Sequence, residues 1–305
     1  MIFDTAKITK SSITPLHEIR DSLLLQKKIR LFIKRDDLVH PTISGNKWRK
    51  LKYNLQEAKA QKKKTLLTFG GAFSNHIHAV AVAGKEYGFH TIGIIRGEEI
   101  TGDNATLTFA RECGMQLHFI SRQAYRQKEE QSFLENLHET FGDFYLLPEG
   151  GTNALAVKGC AEIPSEINID HHFLCCACGT GGTLAGVIAG NKDGKKVLGF
   201  SVLKGMKDLE DKISKLLADF AGNSYDNWSV NHDYHFGGYA KTNDELMHFI
   251  NDFRRRHQML LDPVYTGKML FGIFDLIAKN YFPEGSTIVA IHTGGLQGWG
   301  EKFNG

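Results

Sequence analysis

The chain has 305 residues, of which 42% are hydrophobic and 23% are charged, a balance typical of a folded globular protein rather than a disordered one. Its formal net charge is only +3, and its basic residues are interspersed with acidic ones, so we expect no nucleic-acid partner. No segment approaches the roughly 20 consecutive apolar residues of a membrane span, and the N-terminus lacks the basic segment and apolar run of a signal peptide. We therefore expect a soluble, cytoplasmic protein with no membrane partner.

Strand-like and helix-like segments alternate along the chain. The predicted strands are 65–69, 90–95, 115–120, 144–147, 172–178, 197–203 and 287–292. The predicted helices cover roughly 77–87, 104–112, 127–139, 183–189, 243–257 and 267–279. Such alternation predicts an α/β protein whose parallel sheets are covered by helices on both faces.

The cysteines are odd in number, and three of them lie in one apolar segment. The five are Cys113, Cys160, Cys175, Cys176 and Cys178. A zinc-binding module built on the last three is an alternative, but no second Cys or His pair follows them at finger-like spacing. We predict reduced thiols packed in a core strand and no metal site.

A glycine-rich turn follows the first predicted strand, in the sequence Gly70-Gly71-Ala72-Phe73-Ser74-Asn75-His76. Ligands in parallel sheets bind beyond the carboxyl ends of the strands, where the chain turns into a helix. Ser74 and Asn75 are expected at a helix N-terminus, where backbone amides and the helix dipole favour an anion. An ordinary N-cap serine would produce the same pattern.

A second turn, Gly179-Thr180-Gly181-Gly182-Thr183, lies between an apolar strand and a helix. Glycines let the backbone close around a phosphate, and the threonine hydroxyls add donors. The turn has neither the Gly-Lys-Ser/Thr of a Walker loop nor the third glycine of a dinucleotide fingerprint. It therefore suits a single phosphate, with a tight structural turn as the alternative. A third and weaker signal, His292-Thr293-Gly294-Gly295, follows the last strand.

Lys47 lies in a polar, glycine-containing entry to a helix, Ser44-Gly45-Asn46-Lys47-Trp48. A catalytic lysine needs burial or a nearby cation to lower its pKa, and periodicity does not reveal burial. The residues alone thus predict an α/β enzyme that binds a small phosphorylated molecule.

Seven segments, read together and in order, resemble a known family. They are Ile33–Leu38, Ser44–Lys47, Gly70–His76, Gly150–Leu155, Gly179–Thr183, Leu261–Lys268 and His292–Gly295. The family contains D-cysteine desulfhydrase and 1-aminocyclopropane-1-carboxylate (ACC) deaminase and belongs to the tryptophan-synthase-β type of enzymes that use pyridoxal 5′-phosphate (PLP). The resemblance covers nearly the whole chain.

The resemblance implies a PLP site and the residues that form it. Lys47 is similar to the lysine that binds PLP covalently and moves the α-proton, and Asn75 to the residue that bonds the phenolic oxygen of PLP. Thr266 and Thr293 would flank the pyridine nitrogen. The phosphate cradle would be Gly179, Thr180, Gly181, Gly182 and Thr183.

The resemblance also implies which residues face a small amino-acid substrate. Ser74 would contact the substrate carboxylate, and Tyr239 and Tyr265 would face the rest of the substrate. With Lys47, these are the expected catalytic residues.

The expected architecture follows from the same resemblance. It consists of two open, twisted, mainly parallel-sheet domains with PLP in the cleft between them. The small domain would span residues 48–147, and the large one residues 1–47 and 148–305. Relatives are typically homodimers.

Two features bear on the reaction. ACC deaminases typically carry Glu after the tyrosine that corresponds to Tyr265, and Leu where this chain has Thr293. The threonines are more like those of the desulfhydrases, so β-elimination from D-cysteine is favoured. The alternatives are an ACC deaminase, an eliminase of another small amino acid such as D-serine, and a PLP-binding regulatory protein without activity.

This chain departs from the family pattern at two places. The family usually has Arg-Gln where this chain has His78-Ala79, and often Pro-Ala where it has Leu296–Trp299. These departures leave the substrate open.

Overall fold

The computed structural model describes residues 13–98, 104–192 and 194–299. The ends of the large domain predicted from the sequence, residues 1–12 and 300–305, lie outside the described residues. The strands are β1 (Leu16–Ile19), β2 (Arg30–Lys34), β3 (Thr65–Gly70), β4 (His90–Arg96), β5 (Met115–Ile120), β6 (Tyr145–Leu147), β7 (Phe173–Cys178), β8 (Lys196–Ser201), β9 (Trp228–Asn231) and β10 (Thr287–Ile291). The α-helices are α1 (Ser22–Gln26), α2 (Asn46–Ala60), α3 (Asn75–Tyr87), α4 (Ala105–Glu112), α5 (Arg122–Arg126), α6 (Gln131–Phe141), α7 (Ala154–Cys160), α8 (Gly182–Gly190), α9 (Leu209–Ala221), α10 (Asp244–His257) and α11 (Thr266–Ala278).

These elements form two units, each with its own sheet. Residues 51–152 make up one, and residues 13–50 with 153–299 make up the other. They are called the inner and the outer unit because, along the sequence, the first lies between the two parts of the second. The sheet of the outer unit has the order β1-β2-β10-β7-β8-β9, and that of the inner unit has the order β5-β4-β3-β6. Every neighbouring pair is parallel except β1 with β2. The predicted α/β fold with two mainly parallel sheets is confirmed.

The central strands of the outer unit are buried on both faces, which explains their continuous apolar sequences. Successive residues alternate between two cores: Cys175 and Ala177 belong to one, and Leu174 and Cys176 belong to the other. Residues of α10 and α11 complete the first core, and residues of α7, α8 and α9 complete the second. All three cysteines of β7 are buried and unpaired, as predicted.

The inner unit has a separate core built from its parallel strands. Phe69 of β3 and Ile94 of β4 lie in it with Tyr125 and Leu137 of the covering helices. Helix α3 ends where the sequence indicates, since Gly88 adopts the left-handed conformation (φ +73°) that terminates a helix.

One predicted helix, 127–139, is wrong at its start. Gln127 instead closes α5, and its backbone N–H donates to the carbonyl of Ala124. The next helix, α6, begins at Gln131 after the turn formed by the residues between. Among the described residues, no helix has both the length and the apolar character needed to cross a membrane.

Candidate active site

The carboxyl ends of two neighbouring strands carry two of the glycine-rich turns. Strands β7 and β10 pair in parallel, so the segments that follow them lie at the same edge of the sheet. The segment after β7 is Gly179–Thr183, and the segment after β10 is His292–Gly295. This is the edge at which open α/β sheets bind their ligands.

The turn after β7 exposes the start of helix α8. Its N-cap is Gly181, whose φ of +87° suits glycine, and a Cβ atom there would lie 2.9 Å from Ile213. No side chain within the described residues caps this helix, so its first N–H groups are left for an outside acceptor. An anion such as a phosphate fits that position.

Contacts with the turn after β10 fix the segment that carries Lys47. The backbone N–H of Asn46 donates to the carbonyl of Thr293 (3.2 Å). Gly45 has φ +61°, and a Cβ atom on it would lie 1.8 Å from the Thr293 oxygen, so only glycine fits. The side-chain amide of Asn46 donates to Thr183 Oγ1 (2.7 Å). Lys47 is thereby held beside both turns.

Lys47 itself has an unusual amine. Its side chain is half-buried, and desolvation, assisted by the charge of Lys50, lowers its pKa from 10.5 to about 7. A substantial fraction of Lys47 is therefore neutral at physiological pH. A neutral amine is both a nucleophile and a base, which is the property that sequence could not reveal.

A buried ionic network anchors the first turn of α2 next to Lys47. Arg49 is inaccessible to solvent and pairs with Asp36 (2.8 Å) and Glu166 (2.5 Å), while the buried Lys34 pairs with Glu166 (2.7 Å). Burial alone would raise the pKa of Glu166, but the bonds from Arg49 and Lys34 outweigh it and lower that pKa. The Ile33–Leu38 motif thus supplies ionic partners to the helix that carries Lys47.

The two tyrosines lie together in the outer unit. The ring centroids of Tyr239 and Tyr265 are 6.2 Å apart, and their side chains are hydrogen-bonded. Burial and the neighbouring Tyr239 raise the pKa of Tyr265 well above 10, so its hydroxyl stays protonated at neutral pH. A Cβ atom added to Gly179 would lie 3.2 Å from the Tyr265 ring. The pair therefore adjoins the turn that follows β7.

Asp262 sets the start of helix α11. Its buried carboxylate accepts hydrogen bonds from the backbone N–H groups of Val264 (3.0 Å), Tyr265 (2.7 Å) and Thr266 (2.8 Å). Sequence reasoning gave Asp262 no separate role, although an Asp before a helical pattern is a recognisable capping signal.

Thr266 carries a buried hydroxyl for which no hydrogen-bond partner exists among the described residues. An unsatisfied buried polar group is costly, so each one requires an explanation. A ligand nitrogen would supply the missing partner. The Thr266 hydroxyl, the uncapped start of α8 and the neutral amine of Lys47 suit the pyridine nitrogen, phosphate and aldehyde of PLP respectively.

Replacing Thr266 by Val tests this assignment. We expect the PLP-free protein to keep or raise its melting temperature, because the change removes an unsatisfied buried hydroxyl, while the affinity for PLP falls. Thr68→Val is the matched control, because the Thr68 hydroxyl donates to the carbonyl of Leu147 (2.9 Å) and its loss should cost about 1–3 kcal/mol. Equal destabilisation by the two changes would contradict the assignment. Thermal melts and PLP titration supply both measurements.

In the inner unit, Ser74 and Asn75 begin helix α3. Ser74 is the N-cap, and its Oγ accepts from the backbone N–H groups of His76 (3.2 Å) and Ile77 (3.3 Å). A cap of this kind uses only the acceptor side of the hydroxyl, so the proton of Ser74 can still be donated to a carboxylate. Ser74 can therefore cap helix α3 and donate to a substrate carboxylate at the same time.

His76 fixes this end of α3, a role that the sequence did not suggest. Its Nε2 lies 2.9 Å from Thr68 Oγ1. Because Thr68 already donates to Leu147, its oxygen accepts from His76, which places the ring proton on Nε2. Gly151 lies against the same ring, since a Cβ atom there would be 2.8 Å from it.

The two departures from the family pattern have definite places. His78 stacks on Phe109 within the inner unit (4.3 Å between centroids, 8° between planes), and burial lowers its pKa, so it is neutral at physiological pH. Trp299 donates its indole N–H to the carbonyl of Leu261 (2.8 Å) in the outer unit.

The structure thus gathers the candidate residues of the outer unit around one sheet edge: Lys47, Gly179, Thr180, Gly181, Gly182, Thr183, Tyr239, Tyr265, Thr266 and Thr293. Ser74 and Asn75 stand in the inner unit, at the carboxyl end of β3.

Residues 10–294 match the family of pyridoxal-phosphate dependent enzymes, and the chain belongs to that family. PLP is its cofactor. Within that family it is 33% identical over 300 residues to the bifunctional D-cysteine desulfhydrase/1-aminocyclopropane-1-carboxylate deaminase of Arabidopsis thaliana, covering 90% of this chain and 74% of the plant protein. It is 31% identical over 287 residues to a Pyrococcus horikoshii protein provisionally assigned as an ACC deaminase, covering 90% and 87% of the two chains.

Solved structures agree with this placement. The crystal structure of an ACC deaminase homologue superposes with a TM-score of 0.81 at 29% identity and covers 95% of this chain and 92% of that one. A hydrogen sulfide-producing enzyme of Fusobacterium nucleatum has a TM-score of 0.69 at 17% identity over 95% of this chain and 98% of that one, a likeness that shows the shared fold alone. The chain is accordingly a PLP-dependent lyase or deaminase of the ACC deaminase family.

Proposed function

We propose that this enzyme catalyses β-elimination from a small amino acid, with D-cysteine as the preferred substrate. D-Cysteine and water would give pyruvate, hydrogen sulfide and ammonia. The observation that carries the proposal is Thr266, a neutral residue with a buried hydroxyl, directly after Tyr265. A neutral group there supports the reaction with the better leaving group, thiolate, because that reaction makes the smaller demand on electron withdrawal by the cofactor.

The roles of the chain's own residues follow from their chemistry. PLP supplies the electron sink that stabilises negative charge at the substrate's α-carbon. Lys47 binds the cofactor and, with its pKa near 7, moves the α-proton at neutral pH. Ser74 donates its hydroxyl proton to the substrate carboxylate at the start of α3. Tyr265 stays protonated and orients the substrate together with Tyr239.

The test is product analysis with purified, PLP-loaded protein given D-cysteine, L-cysteine, D-serine or ACC in parallel. Pyruvate with equimolar sulfide, fastest from D-cysteine, supports the proposal. Cysteine reacts with free PLP, so the blank is the same reaction with the Lys47→Ala protein at equal PLP concentration. Absence of sulfide above that blank would refute the desulfhydrase assignment.

ACC deamination is the second candidate, favoured by the names of the relatives in Pyrococcus and among solved structures. Its product is 2-oxobutyrate rather than pyruvate, and no sulfide is released. A chromatographic assay that separates the two oxo acids therefore distinguishes the candidates in one experiment.

A further inference from the structure

The segment that carries Tyr239 has an unusual backbone. Four of its residues have positive φ: Phe236 (+51°), Gly237 (+91°), Gly238 (+119°) and Ala240 (+53°). Residues with a side chain rarely adopt this conformation, and it persists only where the surroundings hold it in place. The segment must therefore be fixed by contacts outside itself.

Lys268 provides those contacts. Its side chain is completely buried, and its ammonium donates to the carbonyls of His235 (2.9 Å) and Gly238 (2.8 Å). The same carbonyls accept from the backbone N–H groups of Gly238 (3.0 Å) and Lys241 (3.2 Å), which close the two successive turns of the segment. One amine thus joins the turn that precedes Tyr239 to the turn that contains it.

The position of Lys268 is unfavourable for its own helix. It lies in the first turn of α11, where the helix dipole disfavours a positive charge. Within the described residues it forms no ion pair, and the carboxylate that attracts it, Asp262, is engaged in capping α11. Neither helix stability nor ion pairing explains a buried lysine here, whereas the two carbonyls do.

We propose that Lys268 is a positioning residue that holds Tyr239 against Tyr265. Lys268 lies three residues after Tyr265 on the chain and bonds the residue directly before Tyr239. It therefore ties both tyrosines to the start of one helix and sets their separation. This inference rests on the proposed role of the two tyrosines in binding the substrate.

A consequence is that the segment loosens at high pH. Desolvation lowers the pKa of Lys268 to about 8, against the opposing attraction of Asp262. Below pH 8 the charged amine makes strong bonds to both carbonyls, and above it the neutral amine makes weaker ones. Other titratable groups at residues 235–241 include His235, Tyr239 and Lys241 within the segment, Tyr265 beside Tyr239, and Lys204 beside Gly238.

The experiment uses Lys268→Met, Lys268→Arg and, as the matched control, Lys279→Met, an exposed lysine near the other end of α11 that pairs with Asp275. In the holoenzyme we expect Lys268→Met to lower kcat/KM for D-cysteine about 10- to 100-fold, and Lys279→Met to leave it unchanged. In a Tyr239→Phe background, Lys268→Met should change kcat/KM less than about threefold. Lys268→Arg should recover part of the lost kcat/KM. In the unaltered protein kcat/KM should fall above pH 8 as Lys268 loses its proton, whereas in Lys268→Arg it should not, because arginine does not titrate there.

Hydrogen exchange of residues 235–241 in the PLP-free protein tests the positioning role of Lys268 without an activity assay. We expect faster exchange in Lys268→Met than in the Lys279→Met control, and in the unaltered protein a rise above pH 8 beyond the intrinsic increase. Unchanged exchange, or additive effects of the Lys268 and Tyr239 changes on kcat/KM, would overturn the proposal. If no substrate is turned over, the proposed function has failed, and the exchange measurement alone decides the role of Lys268.

Discussion

Replacing Lys47 by Ala is expected to abolish product release from D-cysteine and from every alternative substrate. Desolvation lowers the pKa of Lys47 to about 7, so its amine can act as a base at neutral pH. Its neighbour Asn46 bonds to both turns at the sheet edge and so holds this part of the chain in place. Loss of both the base and the covalent attachment should lower the rate at least about a thousandfold. Assays of pyruvate, 2-oxobutyrate and sulfide measure the effect.

The control for this prediction is Lys279→Met, which should leave both activity and the absorbance of bound PLP intact. Appreciable turnover by the Lys47→Ala protein would show that another group moves the α-proton and would remove Lys47 from its assigned role.

The same lysine predicts a pH dependence of stability. Its pKa is about 7 in the folded chain, below its ordinary value of 10.5, so between these values the unfolded chain holds a proton that the folded chain has released. Stability therefore rises with pH across that window, by up to roughly 1.4 kcal/mol per unit from this group. To isolate the contribution of Lys47 to stability, denaturation midpoints are compared, at each pH, between the PLP-free protein and its Lys47→Met variant, which lacks the titrating amine. An unchanged difference from pH 7 to pH 10 would mean that Lys47 is not desolvated.

Replacing Gly45 by Ala should be strongly damaging, although it removes no functional side chain. The new Cβ atom would lie 1.8 Å from the carbonyl oxygen of Thr293, a backbone atom that cannot rotate away. The turn must move, and the bond from Asn46 to Thr293 and the placement of Lys47 are lost with it. We expect destabilisation by more than about 3 kcal/mol and loss of the absorbance of bound PLP.

The matched control is Gly222→Ala. Gly222 has φ +64°, close to the +61° of Gly45, but an added Cβ atom there meets nothing within 4 Å. It should cost only the left-handed conformation itself, about 1–2 kcal/mol. Denaturation midpoints of both variants separate backbone strain from the clash. A cost at Gly45 no greater than at Gly222 would contradict the predicted contact with Thr293.

Much of the fold was predictable because the local sequence is enough to indicate the buried parallel strands. Strands β7 and β10 are continuous apolar segments, glycine directly follows β7, and α3 ends at Gly88. Helix α9 was missed although its signal is present: Leu209, Ile213 and Leu217 recur every four residues and are buried. Strand β2 was missed for a different reason: it is short, and one of its two partners, β10, comes from a distant part of the sequence.

The site was predictable in its motifs but not in its electrostatics. Lys47 and Lys268 look like ordinary solvated lysines in sequence, and only the packing around them lowers their pKa values. Likewise, nothing local says that the Thr266 hydroxyl is left without a partner or that Asn46 reaches Thr183. These properties depend on residues brought together from far along the chain, which single-sequence patterns do not encode.

The pairing of β2 with β10 also dictates an order of events during synthesis. Arg30 of β2 pairs with Thr287 of β10. At a synthesis rate of about 5–20 residues per second, β2 therefore leaves the ribosome roughly 10–50 s before β10. Residues 51–152 are contiguous and can fold during that interval. Until β10 emerges, one edge of the apolar strand β2 stays unpaired and open to association with other chains. A chain that stops before residue 287 would therefore lack the strand that lies between β2 and β7, and both strands would keep an unpaired edge.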